Sequence, residues 1–232
     1  VNDVVTLLAA LAALAAAGCR LPRWGAPESR PLTIGLGLLA LWAVLRAPVL
    51  NSAATEFAVS ATTLESLPDL ISNLALVAAG ALIGVAITDA FGSVVWKRAF
   101  YVGLIVFEAA LLLTYEPSKP SAAMIDGHKW MLAGAGMVTS IAILVAACLS
   151  ISAIPAQFRL PLGLFMLGGA LSLGLSVLRA VTLLRPHGTQ VEVWAPLVSL
   201  PIFAFAFGSL IGTYRLRAFL RDSAESDADA EI

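Results

Sequence analysis

Five ionisable residues stand within or at the edges of long apolar segments: Arg46, Asp69, Asp89, Glu108 and Arg179. A charge in hydrocarbon costs about 2.5 kcal/mol or more, so each needs a partner, a route to the interface or a task. Depth sorts them. At about 1.5 Å of rise per residue, Glu108 lies roughly 13 Å into its segment, too deep to reach water by bending. Tyr101, Glu108 and Tyr115 are spaced by seven and share a helical face. The carboxyl is either a proton or cation site between helices, or a neutral group that packs its helix against neighbours. Arg46, Asp69 and Arg179 lie near one level at the opposite boundary from Asp89. Asn73, four residues after Asp69, adds an amide donor and acceptor. This set is expected to form a polar vestibule for an anion or zwitterion, or else to send its arginines to lipid headgroups and pair with Asp69 and Glu65. Asp89 sits beside Lys97 and Arg98 and reads as interfacial.

The elements that hold these residues must be membrane helices. Apolar residues make up 59% of the 232, charged residues 12%, and the mean hydropathy is +0.92. An ordinary soluble domain carries about 25% charged residues. Runs of about 17 to 25 apolar residues select helices, because lipid cannot satisfy an open backbone. The expected fold is all-α, a polytopic transmembrane bundle of seven helices over residues 1–216. The segments are Val4 to Cys19, Leu32 to Leu50, Leu67 to Phe91, Ala99 to Tyr115, Trp130 to Ile154, Leu160 to Leu184 and Val193 to Leu216.

Between them, Asn51 to Ser66 reads as an acidic Ser/Thr/Ala loop, Trp96-Lys97-Arg98 as a short basic turn, and Glu116 to Lys129 as a Pro/Gly-rich connection containing His128. His187 falls in a second such connection. Residues 217–232 are acidic, nearly without apolar side chains, and are expected to form an unordered cytoplasmic tail. Two cysteines, Cys19 and Cys148, are expected to be buried thiols.

Basic residues orient the bundle. Nine lie on the side of Arg20, Arg23, Arg30, Lys97, Arg98, Arg159, Arg215, Arg217 and Arg221; five, namely Arg46, Lys119, Lys129, Arg179 and Arg185, lie on or toward the other. The excess places the N-terminus outside and the C-terminus in the cytoplasm. The first segment has no positive charge ahead of it and three arginines after it, so it is expected to remain as a helix and not to be cleaved.

Within the third segment, Asp69, Asn73, Gly80 and Gly84 follow at spacings of four, seven and four, which places them on one stripe. Gly80/Gly84 and Gly208/Gly212 have the small-xxx-small spacing that lets helices approach closely. No HExxH, CxxC, G-x-S-x-G, Walker or DDxxD pattern is present, so neither an enzyme nor a metal or other cofactor is expected. A net charge of -1 offers no general attraction to nucleic acid.

The seven short helices, the third opening Leu67-Pro68-Asp69-Leu70 and the sixth running Arg159-Leu-Pro-Leu, Gly168-Gly169, Leu178-Arg179, resemble a group of actinobacterial seven-helix membrane proteins labelled as transporters. The resemblance implies a bacterial inner-membrane protein. Eleven arginines against three lysines suit such a source. Two functions remain open. One is a non-enzymatic ligand-binding or transport protein that works through Arg46, Asp69, Asn73, Glu108 and Arg179. The other is an envelope interaction protein, such as a phage or prophage exclusion or immunity factor, whose partner beyond the bilayer is another membrane protein or a further copy of itself.

Overall fold

Proline and polar turns cut the chain into helices of roughly membrane thickness. The computed structural model describes residues 2–62, 64, 66–90, 92–116, 126–152, 154–184 and 194–230. Lys119, Arg185 and His187 lie outside them, as does Glu65. Eight α-helices and no strand occur among the described residues: α1 (Asn2–Arg20), α2 (Arg30–Arg46), α3 (Pro48–Thr62), α4 (Leu67–Ala90), α5 (Val94–Leu113), α6 (Asp126–Ser150), α7 (Ala156–Leu183) and α8 (Trp194–Ala230). Two 3-10 turns, Leu21–Arg23 and Pro27–Ser29, join α1 to α2. Six stretches are long and apolar enough to cross a membrane, as a multi-pass membrane protein requires: Asp3–Arg23, Pro27–Arg46, Leu67–Ala90, Gly127–Ser150, Ala156–Leu183 and Leu197–Arg221.

Several sequence expectations are corrected. The second apolar segment stops at Arg46, not Leu50, because Pro48 cannot continue it and instead opens α3. Residues 51–62, expected as loop, are helical: Ala53, Ala54, Ala58 and Ala61 supply helix propensity that the Ser/Thr content obscures. Trp96-Lys97-Arg98 is not a turn but the first turn of α5. Reversal occurs just before it, where Gly92 takes φ +71° and the Ser93 side chain accepts from the Trp96 amide. The helix bearing His128 begins at Asp126, four residues ahead of Trp130, and ends at Ser150, short of Ile154. Helix α8 runs on to Ala230 through the segment expected to be an unordered tail, whose alanines and glutamates are good helix formers. Cys19 and Cys148 are free and exposed, not buried. A thiol is apolar enough to sit on a surface that meets lipid.

The helices form a closed ring by packing α1 on α2, α2 on α4, α4 on α6, α6 on α7, α7 on α8 and α8 back on α1. Helix α5 fills the outer furrow between α4 and α6, and α3 touches only α2 and α4 among its main neighbours. The packing is inside out relative to a soluble bundle. On α1, Ala9, Ala13 and Ala16 are each 0% exposed, while Leu8, Leu11 and Leu14 face outward. Lipid offers leucine nothing to flee, so close backbone approach through small residues decides which face turns in. Small residues recur at other contacts. Gly80 lies against Thr139 and Gly84 under the Phe100 ring, while Gly208 meets Phe165 and the Pro161 carbonyl and Gly212 meets the Pro161 ring. Phe165 packs on Phe205 at 5.8 Å between ring centroids.

The two ends of the ring differ in composition. Near one end, Asp89 of α4 pairs with Lys97 of α5 at 2.8 Å. At the other, the first turns of α4 and α6 meet the last turn of α5 through Asn73, His128 and Thr114. Helix α5 therefore runs from one end to the other, antiparallel to both α4 and α6.

Candidate functional site

The site assembles where four helices end or begin. Arg46 is the last residue of α2. Pro48 prevents the helix from carrying that side chain further outward. Asn51 consolidates the corner by donating from its side chain to the Leu45 carbonyl at 2.8 Å. Leu67 and Pro68 open α4, so Asp69 falls in its first turn and Asn73 one turn deeper on the same face. The start of α4 is pinned to the end of α5 by Ser66, which is fully buried and donates to the Tyr115 hydroxyl at 3.2 Å.

On this frame a continuous polar chain is built. One Arg46 amino group (Nη1) lies 3.3 Å from Asp69 Oδ1, and the other (Nη2) donates to Asn73 Oδ1 at 2.8 Å. The Asn73 amide nitrogen is 3.3 Å from His128 Nε2, and His128 Nδ1 is 3.2 Å from Thr114 Oγ1. Asn73 and His128 are 4% and 2% exposed, so these are interior contacts. Such groups are expensive to bury unless each finds a partner.

The direction of each bond follows from its ends. Arginine can only donate, so Asn73 Oδ1 accepts and its NH2 donates onward. The Thr114 hydroxyl donates to the Ala110 carbonyl at 2.7 Å. It therefore accepts from His128, whose proton is on Nδ1, and His128 Nε2 accepts from Asn73. The ring is thus a neutral spacer between Asn73 and Thr114, joining α4 to α5 through α6.

Arg179 stands on the last turns of α7, a turn beyond Ser176, which packs against Gly136 of α6. Its charge acts on both Arg46 and His128. The structure thus brings together Arg46, Asp69, Asn73 and Arg179, four residues marked in the sequence, and adds His128 and Thr114, which were not. It does not bring Glu108 into the group. Glu108 lies on α5, between Leu104 and Leu111 of an apolar cluster, with Oε1 buried and without a hydrogen-bond partner among the described residues. Tyr101, on the face shared with Glu108, is exposed, and Tyr115 is engaged by Ser66.

His128 was hidden by the Pro/Gly content of residues 116–129. The signal that could have found it is Asp126, an acid where the helix dipole favours one, a turn before Trp130.

Chemically, the arrangement offers fixed hydrogen-bond donors and positive charge but no nucleophile poised beside a base. Comparison with family models, with curated proteins and with solved structures finds no match.

Proposed function

We propose that this protein is a seven-span plasma-membrane protein that binds or carries a small polar ligand through a vestibule at its outer end, without catalysing a reaction. The observation that carries this reading is the buried chain Arg46–Asp69–Asn73–His128–Thr114, with Arg179 beside it. Three charged groups and an imidazole would not be drawn from three helices into one low-dielectric spot for packing alone when apolar residues pack as well. Pockets between the helices of a bundle are where membrane proteins place ligand sites.

The seven-span count is supported by the course of α5. Six stretches meet the requirement for crossing a membrane, whereas α5 carries Lys97, Arg98 and Glu108 among its 20 residues. Yet α4 and α6 run in the same direction, and α5 links their opposite ends with a length of about 30 Å. Its charges sit near one end and at one central position, which a span tolerates. Orientation rests on the arginine-rich end, where Arg20, Arg30, Arg215 and Arg217 collect and which suits the cytoplasmic side.

The test is parallel purification of wild type and Asn73→Leu in mild detergent, with identification of co-purifying small molecules and proteins by mass spectrometry. A small molecule held by wild type and lost from a monodisperse Asn73→Leu sample supports the proposal. Identical small-molecule content in the two, with a protein partner retained by both, sinks it in favour of an interaction protein.

A further inference from the structure

We propose that the vestibule is selective for a single oxyanion, a carboxylate or phosphate group, held between the guanidinium groups of Arg179 and Arg46, and that it rejects zwitterions. This deepens the vestibule reading above and rests on it.

The inference starts from the wiring. Arg46 and Asp69 offset each other at 3.3 Å. His128, donating to Thr114 and accepting from Asn73, is neutral, and both of its ring nitrogens are used. That leaves Arg179. Among the described residues no carboxylate pairs with it and it makes no hydrogen bond, and the charged neighbour that acts on it is the like-charged Arg46. The site therefore holds one positive charge more than it neutralises, in a half-buried position where water screens poorly. Arg46 Nε is buried with no hydrogen-bond partner, so both arginines keep unused donors. Guanidinium groups present N–H donors in a planar fork matched to carboxylate and phosphate oxygens.

Rejection of zwitterions follows from the same inventory. A zwitterion needs a free acceptor for its ammonium. Asp69 is already committed to Arg46, so an ammonium brought there would face two guanidinium groups. A single oxyanion satisfies the excess charge and the open donors together.

The oxyanion could be a soluble solute or the headgroup of an outer-leaflet lipid, and the experiment separates them. Wild type is placed in nanodiscs of phosphatidylcholine and titrated with sodium phosphate or acetate against sodium chloride at constant ionic strength. A second set of nanodiscs contains phosphatidylglycerol and no added oxyanion. The expected result is a saturable rise in unfolding temperature, about 5 °C at a hundredfold excess over Kd, in the first arm for a soluble ligand or in the second for a lipid. The rise should vanish in Arg179→Gln and persist in Arg159→Gln, which removes an exposed arginine elsewhere. Should Arg179→Gln fail to fold, Arg179→Lys keeps the charge but loses the fork and should weaken the apparent Kd about tenfold.

An equal rise in wild type and the Arg179 variant overturns the proposal. So does an equal response to zwitterionic glycine, although that outcome leaves the vestibule reading standing. No response to phosphate, acetate, phosphatidylglycerol or glycine overturns both.

Discussion

The two ends of the bundle use arginine in opposite ways. At the arginine-rich end each guanidinium is a clamp between elements: Arg20 donates to Thr213 at 3.2 Å and to Ser29 at 3.4 Å, Arg217 donates to the Cys19 carbonyl at 2.8 Å, and Arg215 donates to the Gln157 carbonyl. The acceptors there are hydroxyls and helix-end carbonyls that would otherwise lack donors. At the vestibule end, one arginine is tied to a carboxylate and a buried amide, and a second is left without an anionic partner. Arginine that closes off helix ends fixes the fold. Arginine held beside another arginine stores an unmet demand for negative charge, which only something from outside can satisfy.

This contrast can be broken from either end. The largest effect is expected from Asp69→Asn, which removes the charge opposite Arg46 and leaves two guanidinium groups facing each other. Stability should fall by about 3 kcal/mol, read as a lower unfolding midpoint in detergent, and added phosphate should restore part of it. Next comes His128→Leu, which fills the same space but unhooks α6 from Asn73 and Thr114. A cost of about 1 to 2 kcal/mol is expected, together with faster hydrogen exchange in the first turns of α4 and α6. The smallest effect is expected at the clamp end. Thr213→Val removes one acceptor from Arg20, which keeps Ser29, and interhelical hydrogen bonds in membrane proteins average about 0.6 kcal/mol. A Thr213→Val loss as large as that of Asp69→Asn would erase the distinction between the two ends.

Much of the vestibule was readable from the sequence because depth in a membrane helix is simple arithmetic. Arg46, Asp69 and Arg179 share a level whatever the lateral order of the helices, and Asn73 follows Asp69 by one turn. Lateral order itself was not readable: nothing in the spacing of Glu108 says that α5 lies outside the ring and turns this carboxyl into an apolar cluster. His128 was lost for a different reason. Pro117, Pro120 and Gly127 mark a connection correctly but do not say where it ends, and the helix begins at Asp126, ahead of the strongly apolar run. The same bias hid α3, whose alanines favour a helix while its serines and threonines lower its hydropathy. Hydropathy finds spans, and it is blind to helices that do not need to cross.

The alanine seam of α1 has a consequence for how this sequence can drift. At positions 9, 13 and 16 the backbone is held against its neighbours by single methyl groups, and any larger side chain must wedge the ring apart. At 8, 11 and 14 one aliphatic residue is as good as another, because the solvent is hydrocarbon. The helix therefore has one frozen edge and one free edge, repeating with the helical period. In a substitution profile of the chain, α1 would show its tolerance on its most hydrophobic positions and its intolerance on its smallest.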